Sequence, residues 1–144
     1  MTEPRLQYAA LPYRRGADHM EILLVTSLGT KRWIIPKGWP MDGRAPHEAA
    51  AREALEEAGV VGEVGNEAIG SYRYEKRRKS GATVPCTVEV FPLDVTTQRK
   101  RWPEKGQRKV QWFPAEEAAR TVSDADLGDI ILDWSKRVRA PEDA

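Results

Sequence analysis

The sequence predicts an α+β fold built on a mixed β-sheet, and three observations lead there. Short apolar runs of strand length recur along the chain: MEILLVTS (20–27), RWIIP (32–36) and VQWF (110–113). One segment, APHEAAAREALEEA (45–58), has the alanine and glutamate content of a helix. Strands and helices are intermingled without the strict alternation that marks a fully parallel sheet.

The elements follow in order. Residues 6–13 (LQYAALPY) read as a first strand, weakened near its end by Pro12, and RRGAD as a turn before the run at 20–27. In the helix at 45–58, Pro46 suits the first turn and Gly59 the C-terminal cap. Residues 61–75 read as extended. Residues 82–95 alternate, with Val84, Cys86, Val88 and Val90 on one face and Thr87, Glu89 and Phe91 on the other. Pro114 opens a short helix over AEEAARTV. Ser123 is placed to cap a last helix, whose Leu127, Ile130, Ile131, Trp134 and Val138 form one stripe. Residues 140–144 are expected to be a frayed tail.

Composition removes several function classes. No apolar run approaches the ~20 residues needed to cross a bilayer, and the N-terminus lacks the apolar core of a signal peptide, so a cytoplasmic protein with no membrane partner is expected. The single cysteine, Cys86, excludes an internal disulfide framework and a cysteine-built zinc cage, and it reads as a core residue. Neither His19 nor His47 has metal-ligand spacing, and no phosphate-binding Gly-rich loop or Ser-His-Asp order is present. The net charge is only +1, yet it is unevenly distributed. Residues 73–79 (RYEKRRK) carry five basic groups and one acid, and residues 99–109 (RKRWPEKGQRK) carry six and one, whereas acid gathers between Glu48 and Glu57.

The acidic helix is the informative segment. Glu53 and Glu57 are four residues apart and Glu53 and Glu56 three, so the three carboxylates project from neighbouring positions. Ala51, Ala54, Leu55 and Ala58 occupy the other side. Crowded carboxylates repel, and here they lie toward the negative end of the helix dipole. Hard divalent cations such as Mg²⁺ or Mn²⁺ turn the arrangement favourable. EALEE alone reads as a solvated surface helix; its surroundings change the reading.

The segment from Gly38 to Val60 resembles the signature of the Nudix hydrolases. Gly38, Arg52, Glu53, Ala54, Glu56, Glu57, Gly59 and Val60 match at the required spacing, while Arg44 stands where the signature has its first glutamate. The resemblance implies an α/β/α sandwich with a mixed sheet and a catalytic loop–helix, one domain over residues 3–139. It implies hydrolysis of a diphosphate linkage by water attacking phosphorus. By position, Glu53, Glu56 and Glu57 would hold Mg²⁺ or Mn²⁺, and Glu53 or Glu57 would help deprotonate the water. Arg52 would pair with Glu56 or hold the loop, and the backbone carbonyls of Lys37 and Gly38 would lie near the metal. Family members often recruit a further carboxylate from a distal loop; Glu104 is the candidate here, Glu75 a second. Arg44 cannot ligate a cation and is left to pair with Glu48 or to contact a phosphate.

The stretches RWIIPKGWPMDG and Trp102 to Phe113, with the basic segment before 82–95, resemble the diphosphoinositol polyphosphate phosphohydrolase branch, which also cleaves diadenosine polyphosphates. The charge map fits such polyanionic, phosphorylated small molecules. Arg73, Lys76, Arg77, Arg78 and Lys79, with Arg101, Lys105, Arg108 and Lys109, could surround one, and Lys31, Arg32 and Lys37 lie beside the signature. Arg32, Lys37, Arg44, Lys76, Arg78 and Arg108 are the expected phosphate contacts, and Trp39 a candidate pocket wall. Plain solvation of these charge runs is the competing reading. An RNA 5′ end is also a polyanion, but only Tyr72, Tyr74 and Trp102 interleave the basic runs, which disfavours a single-strand platform. Two alternatives stay open: hydrolysis of a simpler nucleotide, such as ADP-ribose or a modified nucleoside triphosphate, and a module that binds a nucleotide or RNA end without cleaving it.

Overall fold

Eight strands pair into one mixed sheet in the computed structural model, which describes residues 4–143. They are β1 (Arg5–Arg15), β2 (Met20–Thr26), β3 (Trp33–Ile34), β4 (Lys37–Gly38), β5 (Val60–Val64), β6 (Gly70–Arg77), β7 (Thr83–Gln98) and β8 (Val110–Pro114). The helices are α1 (Pro46–Ala58), α2 (Ala115–Thr121) and α3 (Ala125–Asp143). The main path runs β3-β2-β1-β7-β5, with β4 paired to β1, β6 to β7 and β8 to β2. The sheet is mixed because β1 and β7 run parallel, from Arg5↔Cys86 to Tyr13↔Asp94, while the other pairings are antiparallel.

Alternation in the strands feeds two cores. One face sends Leu11, Ile22, Leu24, Val88 and Val90 toward α2 and α3, where Ala118, Leu127, Ile131 and Trp134 meet them. The other sends Leu23, Val25, Phe91 and Leu93 toward α1, whose Ala50, Ala54 and Ala58 are small enough for close approach. This is the three-layer α/β/α arrangement expected from the sequence. The strand at 82–95 extends to Gln98, and Cys86 is fully buried.

Four readings change. The extended stretch 61–75 is two strands, broken between Val64 and Gly70, where Gly65 and Ile69 donate to carbonyls of β7. The run 32–36 resolves into the short β3, with Lys37 and Gly38 forming β4 against β1. The last helix starts at Ala125, so Asp124 and not Ser123 stands at its N-cap, with Asp124 O accepting the Gly128 N–H; the Ser123 amide donates to the Trp33 carbonyl at 3.2 Å. Pro12 sits within a central strand, paired with Leu93. It is tolerated because β1 meets β4 only at Tyr8 and Ala9 and β2 only from Tyr13 onward, so the N–H it lacks would face a gap between them. α3 reaches into the 140–144 stretch expected as a tail; Ala144, like residue 3 at the expected domain start, lies outside the described residues. Among the described residues no helix is long and apolar enough to cross a membrane.

Candidate active site

α1 begins where the Glu48 carboxylate accepts the Ala45 N–H at 2.8 Å. It ends at Gly59, left-handed at φ 73°, whose N–H donates to Leu55 O. Between these caps the three signature glutamates differ in environment. Glu57 is buried, at 2% exposure, and its Oε1 has no hydrogen-bond partner. Glu56 is half-buried and accepts a 2.7 Å bond from Arg52 Nε, one of the two arrangements left open for Arg52. The Glu53 carboxylate packs against Gly38, where a Cβ would come within 2.3 Å of it. Glycine at 38 therefore leaves the space in which Glu53 sits.

A second segment closes over this end of the helix. The Glu104 N–H donates to Glu56 O at 3.0 Å. Arg108 Nε donates to Glu104 Oε1 at 2.9 Å and stands 3.7 Å from Glu57 Oε1, while its Nη1 donates to Thr26 O. A guanidinium is thus built into the carboxylate cluster.

Burial dominates the electrostatics. It pushes the Glu57 carboxyl up to about 9 against the pull of Arg108, helped by a hydrogen bond shared with Glu53. Glu53 is raised as well, by burial and by the charges of Glu56 and Glu104. Desolvation brings Lys37 down to about 8, opposed by Glu57, and its ammonium stands 4.8 Å from the Tyr74 ring centroid.

Glu57 opens onto a cavity of about 220 Å³. Arg32, Lys37, Lys76, Arg77 and Arg108 line it, brought from four separate stretches of chain. Glu75 lines it too. Glu53, Glu56 and Glu104 do not line it: Glu53 bonds Glu57, Glu104 pairs with Arg108, and Glu56 pairs with Arg52. Two expected phosphate contacts fall elsewhere. Arg44 is exposed and lines a separate hollow with Glu48 and Arg52. Arg78 lies at the β6–β7 turn, where its N–H donates to Ala82 O, and is not part of the cavity wall. Trp39 is 40% exposed under the Arg5 guanidinium and does not line the cavity either. The sequence reading missed Gln7 and Asp124, which do. Gln7 is 3% exposed and its Oε1 accepts the Tyr74 hydroxyl at 2.6 Å; its trace in the sequence is one amide within an apolar strand. Asp124, one residue before α3, leaves no such trace.

The residues suit a hard divalent cation. The donors are carboxylate oxygens, and the unpartnered Glu57 Oε1 is an atom such an ion would satisfy. Among the described residues, no three His, Cys, Asp or Glu side chains already surround one point at ligand spacing. Arg52 and Arg108 hold Glu56 and Glu104 in ion pairs.

The NUDIX domain family model matches residues 4–134, and the chain belongs to the Nudix family. It is similar to Nudix hydrolase 21, chloroplastic, of Arabidopsis thaliana: 36% identical over 113 residues, 75% of this chain and 54% of that protein. It is also similar to diphosphoinositol polyphosphate phosphohydrolase 3-alpha of Mus musculus, 32% identical over 116 residues, 79% of this chain and 66% of that protein. The chain spans from about half to two thirds of the length of several curated relatives (54%, 46% and 64%). Among solved structures, the Ap4A hydrolase of C. elegans superposes with a TM-score of 0.67 at 19% identity, covering 94% of this chain and 99% of that one, a likeness of fold.

Proposed function

We propose that this chain is a Mg²⁺-dependent Nudix pyrophosphohydrolase, also able to use Mn²⁺, acting on a highly phosphorylated small molecule. Its substrate is a diphosphoinositol polyphosphate or a diadenosine polyphosphate. The observation that carries this reading is the convergence of Arg32, Lys37, Lys76, Arg77 and Arg108 on the cavity that Glu57 enters. Five cations around so small a space match a dense polyanion better than a molecule with one diphosphate.

Glu53, Glu56 and Glu57, with the backbone carbonyls of Lys37 and Gly38, would hold the metal, which neutralises the diphosphate and acidifies the attacking water. The protein's own groups do the rest. The five cations orient the phosphates and offset their repulsion toward a nucleophile. Water oxygen bonds to phosphorus, the bridging P–O bond breaks, and the water proton passes to Glu53 or Glu57. The wall around Glu57 limits competing solvent. Arg52 keeps Glu56 in place.

The test is a substrate panel with purified protein and Mg²⁺. The expectation is a kcat/KM for a diphosphoinositol polyphosphate or diadenosine hexaphosphate at least about tenfold above that for ADP-ribose or a nucleoside triphosphate. A preference for ADP-ribose would overturn the substrate assignment. Tight binding of these ligands or of a triphosphorylated RNA end, with no turnover at saturating Mg²⁺, would make the chain a binding module instead.

A further inference from the structure

The loop between β7 and β8 brings Glu104 and Arg108 to the site, yet its six basic side chains repel one another. Its far end is tied to β2, where Thr26 bonds Arg108 and the Lys109 backbone; its first half is held at the end of α1. The Arg99 N–H donates to Gly59 O at 2.8 Å and the Glu104 N–H to Glu56 O at 3.0 Å. Between these two bonds the Trp102 indole covers Gly59 so closely that a Cβ there would stand 2.4 Å from a ring carbon. Trp102 belongs to neither core cluster. Inside the loop, Lys105 N–H donates to Trp102 O and Gln107 N–H to Glu104 O, which ties the indole to the segment that ends at Arg108. The glycine that terminates α1 is also the seat of this tryptophan.

The geometry points to Trp102 as a positioning residue: seated on Gly59, it fixes the 99–109 loop against the last turn of α1 and so keeps Arg108 beside Glu57 and Glu104. A large aromatic surface buried at one point is an economical anchor for an irregular, like-charged loop. Arg108 Nε is 2.9 Å from Glu104 and 3.7 Å from Glu57, so a loop displacement of about 1 Å breaks the first contact and the second with it. The kinetic part of the inference rests on the proposed hydrolase; the structural part does not.

Two measurements on Trp102→Ala and Trp102→Phe decide it. Hydrogen exchange by NMR reads the latch directly. In Trp102→Ala the Glu104 amide is expected to exchange at least about tenfold faster, with Val88 and Val90 in the sheet unchanged and protection restored by Trp102→Phe. Unchanged exchange at Glu104, or a loss of protection spread through the sheet, would overturn the inference. The second measurement is a double-mutant cycle with Arg108→Ala on kcat/KM. Trp102→Ala is expected to cost about 10- to 100-fold alone and almost nothing further in the Arg108→Ala background. Multiplying effects would mean that Trp102 does not act through Arg108. If the unmodified protein hydrolyses nothing on the panel, the functional proposal fails and the exchange measurement alone decides the latch.

Discussion

Replacing Glu57 by glutamine tests the central electrostatic feature of this protein. Burial lifts the Glu57 carboxyl from 4.5 to about 9. Below the unfolded value both states carry the proton. As pH rises, the unfolded chain ionises first while the folded one stays protonated, so stability is lost progressively until the folded value is passed. Lys37 runs the other way: it is depressed from 10.5 to about 8, so its contribution is complete above 10.5 and is lost as pH falls through 8. Between pH 5 and 7 Lys37 is protonated in both states, which leaves a clean window for Glu57. At 1.36 kcal/mol per unit, two units correspond to an upper figure of about 3 kcal/mol. Metal-free wild type is therefore expected to lose up to that much stability between pH 5 and pH 7, and Glu57→Gln only the smaller part that Glu53 contributes. Millimolar Mg²⁺ should flatten the wild-type curve by holding the carboxylate ionised and should leave the variant unmoved. Urea unfolding followed by tryptophan fluorescence, with chelator or with Mg²⁺, reads all four curves. Parallel pH dependence of wild type and variant would refute the reasoning.

Three further outcomes are expected. Gly38→Ala should unfold within a few degrees of wild type, because the atoms its Cβ meets are the mobile end of Glu53; displacing that carboxylate should lower kcat about 100-fold and weaken Mn²⁺ binding in calorimetric titration. Lys76→Glu should reduce kcat/KM for a polyanionic substrate about tenfold more than for ADP-ribose, whereas Arg78→Glu, away from the cavity wall, should affect the two alike. Arg44→Ala should leave kcat/KM within about twofold of wild type on every substrate, since the side chain is exposed beside a different hollow; a drop beyond tenfold would return Arg44 to the phosphate site.

Local signals in the chain carried much of this fold. α1 is legible because its composition, its proline near the start and its glycine at the end all act within one segment, and it lies within a residue of where they put it. β2 and β8 are legible as short apolar runs. Pro12 misleads because its tolerance depends on which partners stop short of it, a fact of pairing and not of the strand itself. At the site, spacing along one helix brought out the glutamates, but it could not tell that Glu57 is buried, Glu56 paired and Glu53 held beneath a glycine. The basic runs were visible as runs. Which members reach the cavity depends on tertiary placement: Lys76 falls on the inward side of the alternating strand and Arg73 on the outward side, while Arg78 lies past the strand end, at the turn.

The parallel pairing of β1 with β7 has a consequence for how the chain comes into being. Its partners are about eighty residues apart, so the middle of the sheet forms only after a long loop has closed. A growing polypeptide that has passed β2 still displays the apolar side chains of its first two strands with nothing to cover them, a stretch exposed to self-association until β7 arrives. Cutting the chain at the break between Val64 and Gly70 would leave two pieces, each lacking the central neighbour it needs, and each soluble and ordered only in the presence of the other.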